Sequence, residues 1–181
     1  KLHAANVQNA IAEAEIVMAA DPFMNDEMKA WAASIGIAKC TNDPQEVFDN
    51  PDVDAVFVCS STDTHADFVI KAAKAKKHIF CEKPIHTDIA KIKEALAVVE
   101  ENGVKLQVGF VRRFDKSHKG VRDVAASGEL GKTFVVKVCS RDPEAPPMEY
   151  VKVSGGIFMD MMIHDFDMVR FLAGCAAEEI Y

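Results

Sequence analysis

The sequence predicts an α/β chain: a doubly wound parallel sheet, followed by the beginning of a second, smaller α/β unit. Three observations carry this expectation. Strand-like and helix-like segments alternate through the first 110 residues. The run VDAVFVCS (53–60) is apolar almost throughout, as a parallel strand covered on both faces should be. Glycines 103 and 128 close two periodic stretches, as helix stops do.

In chain order, residues 2–14 read as a helix and EIVMAAD (15–21) as a strand ending on Asp21. A helix is expected over Met24 to Ile35 and a short one over Pro44 to Asp49, before the strand at 53–60. A helix from His65 to Ala75 leads into the strand HIFCEKP (78–84). Thr87 or Asp88 can cap the next helix, because a short polar side chain accepts from the free N–H groups of a first turn. Ile89, Ile92, Leu96 and Val99 form its single apolar stripe. KLQVGF (105–110) is a further strand, and the βαβα order calls for a parallel sheet.

The register then changes. A helix is expected near 115–127, a strand at KTFVVKVCS (132–140), a proline-bearing loop at 142–147, a long helix over 156–173, and a new strand at EEIY. This divides the chain into residues 1–112 and 113–181. No internal repeat or low-complexity tract interrupts it. Because an alternating chain that opens on a helix lacks the strand before it, the sequence reads as a piece of a longer protein.

Composition narrows the class. With 49% hydrophobic residues over 181, roughly 70% of the unfolded surface can be buried. The net charge of −7 argues against nucleic acid or an anionic membrane as partner. The five cysteines are odd in number, widely spaced and without a Cys-x-x-Cys pair, so they form no disulfide framework and suit a reducing compartment. No apolar stretch spans a bilayer and no secretory signal is visible, so a cytoplasmic location is expected.

Four segments carry candidate chemistry. The densest is GGIFMDMMIHDFD (155–167), where helical spacing brings Asp160, His164 and Asp167 within about 60° of one another. Met162, Phe166, Val169 and Ala173 then form the packing face. A carboxylate one turn from an imidazole can fix its tautomer, making His164 a base near neutral pH. A solvated helix face explains the same spacing without function. A metal site is a poor reading, because these ligands lack a partner cluster.

The second segment is Cys81-Glu82-Lys83-Pro84 at a strand end. Ligands of open parallel sheets bind beyond the carboxyl ends of strands, and Lys83 there could stabilise a developing alkoxide. A surface Lys-Pro turn is the plain alternative. The third is Asp21, placed where an acid meets ribose hydroxyls and repels a 2′-phosphate, which favours NAD over NADP. As a plain turn residue or helix cap it would carry no such role. The fourth is SSTDTH (60–65), which offers hydroxyls and free N–H groups at a helix start, or simply caps that helix.

Five segments in order, AADPF (19–23), SSTDTH (60–65), FCEKP (80–84), QVGFVRRFD (107–115) and SGGIFMDMMIHDFDMVRFL (154–172), resemble the Gfo/Idh/MocA oxidoreductases. The resemblance implies a Rossmann-type NAD-binding domain, then a substrate and oligomerisation domain, in a dimer or tetramer. It implies catalytic roles for Lys83, Asp160 and His164, and polyol contacts for Arg112 and Asp167. It places Asp21, Ser61, His65, Glu82 and Lys83 at the cofactor. The implied reaction is oxidation of a ring hydroxyl of a cyclic polyol such as myo-inositol by hydride transfer to NAD. Alternatives are another sugar or polyol dehydrogenase or reductase, or a nucleotide-binding regulatory module without catalysis.

Overall fold

The computed structural model describes residues 1–181, apart from the side chain of Val153. Its strands are β1 (Met18–Ala20), β2 (Lys39–Thr41), β3 (Ala55–Val58), β4 (His78–Cys81) and β5 (Leu106–Val108). β1 pairs with β2, while β3, β4 and β5 form a separate sheet in that order, and every pairing is parallel. Helices α1 (Leu2–Ala10), α2 (Asp26–Ser34), α3 (Gln45–Asp49), α4 (Thr62–Lys74) and α5 (Ile89–Asn102) alternate with the strands. Parallel pairing with helical crossovers puts the carboxyl ends of a sheet's strands along one edge, where loops can meet a ligand.

The core lies between the larger sheet and α4 and α5. Val56, Val58, Ile79 and Cys81 point from β3 and β4 toward Ala66, Val69, Ala72, Ala73, Ala95 and Val99. Three alanines on α4 are at most 1% exposed, so the helix backbone can approach the strands closely. Each buried Val or Ile contributes about 1.5–3 kcal/mol relative to exposure. α5 begins as the sequence suggested: Asp88 accepts from the Ala90 N–H, and Gly103 ends the helix at φ 67°, a left-handed turn that only glycine adopts without strain.

Several expectations are corrected. β3 is covered on one face only: Val56 and Val58 are buried but Phe57 is 49% exposed, stacked on Phe80 with ring centroids 4.9 Å apart. β2 was not expected, since three residues carry too little periodicity to register. α1 stops at Ala10, where Ile11 takes an extended backbone and is exposed.

The second part is helical. A 3-10 turn (Val111–Phe114) leads to α6 (Lys116–Ser127), whose first turn is capped by Asp115 accepting from Ser117 and His118. Residues 132–140 form no ladder, and 178–181 form no strand, because no partner strand flanks them among the described residues. α7 (Met148–Val153) was not anticipated. The long helix at 156–173 is two, α8 (Gly156–Asp160) and α9 (Met162–Ala173), broken at Met161. The faces of α9 are also reversed: Asp167 and Met168 are buried, while Phe166 and Val169 are 50% and 40% exposed. The bidentate Asp167 pair with Arg113 makes the polar side the satisfied inner one. Among the described residues, no helix is long and apolar enough to cross a membrane.

Candidate active site

Lys83 follows the carboxyl end of β4, in a turn whose Lys83–Pro84 peptide is cis. Its ammonium donates to the Asp160 main-chain carbonyl at 2.6 Å and to Asp160 Oδ1 at 3.1 Å. The two side chains are 17% and 25% exposed, so the pair is shielded yet reachable. α8 ends on Asp160, so its terminal carbonyl is free for this lysine. The Tyr150 hydroxyl on α7 donates to the same Oδ1 at 2.8 Å. The Asp160 carboxylate therefore binds Lys83 and Tyr150, not the His164 ring as helical spacing suggested. The break at Met161 removes the continuous turn that the expectation assumed.

His164 lies on the first turns of α9, with Phe110 edge-on at 6.4 Å. Its Nδ1 is buried and has no hydrogen-bond partner among the described residues. Such unpartnered buried atoms are uncommon in folded proteins. Burial, and then the charges of Lys83 and Arg112, push the imidazole below its ordinary value of 6.5. Neutral pH thus finds it as the free base.

The remaining expected residues divide. Arg112 donates to Asp165 and to Ser140, tying the extended 132–140 stretch to α9. Asp167 is held by both arms of Arg113, at 2.6 and 2.7 Å, and is 7% exposed. It is a structural partner rather than an open pocket residue. His65 is 2% exposed, with Nδ1 2.8 Å from the Pro84 carbonyl and Nε2 2.9 Å from that of Ser60. With a carbonyl beside each nitrogen it joins the loop after β3 to the Lys83 turn. Ser61 is exposed at the start of α4, its side chain making no cap bond.

Glu82 accepts from the His3 ring of α1 at 2.6 Å, and its other oxygen accepts from the Lys83 N–H at 3.3 Å. A Cβ at Gly109 would stand 2.9 Å from that second oxygen, so the glycine makes room for the carboxylate. Asp21 accepts from the Phe23 N–H at 2.8 Å beyond β1. Asn42 steadies this turn by donating toward the carbonyls of Asp21, Pro22 and Met24. Tyr150, Asn42 and Gly109 were missed, because each acts through a contact distant in sequence. No group of three or more potential metal ligands occurs among the described residues.

Parallel strands with polar groups gathered beyond their carboxyl ends define a nucleotide-fold α/β protein whose site is completed by a second, helical part. Comparison with known proteins narrows this. Residues 1–110 match the oxidoreductase family with an NAD-binding Rossmann fold, and residues 118–181 match the GFO/IDH/MocA C-terminal domain. The chain belongs to the GFO/IDH/MocA oxidoreductase family. It is 42% identical over 180 residues to a myo-inositol 2-dehydrogenase of Thermotoga maritima, covering 99% of this chain and 53% of that protein. It is 47% identical over 174 residues to an inositol 2-dehydrogenase of Rhizobium meliloti, covering 96% and 52%. The crystal structure of a scyllo-inositol dehydrogenase from Lactobacillus casei, with bound NAD(H) and scyllo-inositol, superposes with TM-score 0.85 at 32% identity, covering 96% of this chain and 52% of that one. The chain thus spans about half the length of the curated relatives it matches.

Proposed function

We propose that the whole protein oxidises a ring hydroxyl of a cyclic polyol, myo-inositol or a close isomer, with NAD as hydride acceptor. The observation that carries this is the Lys83–Asp160 pair, reaching from β4 to α8, together with a His164 whose Nδ1 is buried and unpartnered and whose proton affinity the Lys83 charge helps to lower. A free-base imidazole and an ammonium are the two groups an alcohol needs: one to take its proton, one to stabilise the resulting alkoxide. The similarity to inositol dehydrogenases supports the polyol class.

In this reading His164 takes the hydroxyl proton. Lys83 stabilises alkoxide character on the same oxygen, and Asp160 holds Lys83 in place rather than orienting the imidazole. Asp21, Ser61 and Glu82, at the carboxyl ends of β1, β3 and β4, would hold NAD together with Lys83. Its nicotinamide supplies the hydride chemistry. The open oxygen of Asp21 suits ribose hydroxyls and disfavours a 2′-phosphate, which makes NAD the preferred coenzyme. Arg112 borders the polyol; Asp167 supports it by holding Arg113.

We also assign residues 1–112 to the cofactor domain and 113–181 to the start of the substrate domain. A homo-oligomer in the cytoplasm belongs to the same reading. The extended 132–140 stretch, with Phe134 and Val135 84% and 83% exposed, is a surface of the kind a partner strand covers. The test is NADH formation by the whole protein across a panel of inositols, sugars and linear polyols. Turnover with an inositol and none with linear polyols is expected. No NADH from any of them would overturn the proposal.

A further inference from the structure

Tyr150 stands ten residues before Asp160, on a helix the sequence did not announce. Its hydroxyl and the Lys83 ammonium both donate to Asp160 Oδ1, at 2.8 and 3.1 Å. Asp160 Oδ2 has no hydrogen bond among the described residues. Two donors on one oxygen fix the rotation of the carboxylate. With the phenol gone, the carboxylate could turn and chelate Lys83 with both oxygens, leaving neither the lysine nor Oδ2 free.

We propose that Tyr150 is a positioning residue of the polyol site: its phenol pins Asp160 so that Oδ1 holds Lys83 and Oδ2 stays open to a substrate hydroxyl. This rests on the polyol reading above. Tyr150 is 47% exposed, so a molecule bound at Asp160 can also lie against it. The bond to Asp160 above all, then burial and the carboxylate's charge, keep the phenol protonated beyond its ordinary range. It therefore remains a donor throughout the working pH of a dehydrogenase.

The test compares Tyr150→Phe with the unmodified whole protein. A hydrogen bond to a charged group is typically about tenfold or more in an equilibrium. We expect kcat/KM for the polyol to fall about tenfold while KM for NAD stays within about twofold. A second readout is independent of activity. Tyrosinate absorbance, taken as the difference between the unmodified protein and Tyr150→Phe, isolates the Tyr150 titration; its midpoint should lie above the ordinary 10.0 and fall when Asp160→Asn is introduced. A polyol-active protein whose Tyr150→Phe variant matches it in kcat/KM overturns the role of Tyr150 alone. A protein that oxidises no polyol but keeps the raised midpoint overturns the polyol function while leaving the Tyr150–Asp160 bond intact.

Discussion

Lys83 donates to two oxygens of Asp160, the main-chain carbonyl at 2.6 Å and Oδ1 at 3.1 Å, across 77 residues of sequence. This contact joins a strand end of the parallel sheet to the helix break in the second part of the chain. A lysine held at both oxygens loses much of its rotational freedom, so its charge is aimed before a substrate arrives. Such preorganisation is where electrostatic stabilisation of a developing alkoxide gains most.

Replacing His164 should remove the base. We expect His164→Ala in the whole protein to lower kcat by about 10²–10⁴-fold, with NAD affinity nearly unchanged. Steady-state kinetics with a fluorescence titration of NADH checks both halves.

The same imidazole sets a pH dependence. Burial and the charges of Lys83 and Arg112 lower its proton affinity, so the base form survives below pH 6.5. The acid limb of kcat/KM should therefore fall at a pH under 6.5 and move upward in Lys83→Met, if enough activity remains to follow it. Stability carries the matching sign. The unfolded chain binds this proton first, so His164 makes stability decline as pH drops through 6.5, and His164→Gln should flatten that slope in urea midpoints.

Asp21 should govern coenzyme choice. Asp21→Ser removes the charge that would meet a 2′-phosphate and the acceptor for ribose hydroxyls. We expect the ratio of NADP to NAD efficiency to rise about tenfold or more, since hydrogen bonds to charged groups contribute about 1.5–3 kcal/mol. Parallel kcat/KM measurements with the two coenzymes decide it.

A side chain added at Gly109 should displace the Glu82 carboxylate without unfolding the protein. A Cβ 2.9 Å from Glu82 Oε2 must push that carboxylate away from the Lys83 backbone. Displacements of this size cost up to about 10²-fold in rate. Gly109→Ala should lose activity with its thermal midpoint little changed. Adding the shorter Glu82→Asp should recover part of the loss.

Core packing gives a stability prediction. Ile79 on β4 is 4% exposed and belongs to the cluster beneath α4 and α5. Ile79→Val should cost about 0.5–1.5 kcal/mol and Ile79→Ala about 2–5 kcal/mol in chemical denaturation.

The sequence exposes much of this fold because its strongest signals are local. The apolar run ending at Ser60, the Asp88 cap and Gly103 each mark an element within a few residues of itself. Lys83, Asp160 and His164 could be singled out for the same reason, as short dense motifs. What stayed hidden depends on distant partners. Tyr150 matters only because α7 turns it toward Asp160, and Asn42 only because it gathers three carbonyls of the Asp21 turn. Periodicity also misread α9: a buried Asp167 looks like a solvated residue until Arg113 is known to pair with it. The burial of His65 was hidden likewise, since the two carbonyls that meet its ring come from separate loops.

The most direct measurement is a crystal structure of the whole protein with NAD and myo-inositol bound. One ring hydroxyl should lie within hydrogen-bond distance of both Lys83 Nζ and the His164 ring, its carbon facing the nicotinamide. An inositol bound with those two groups on different hydroxyls, or outside their reach, would contradict the mechanism.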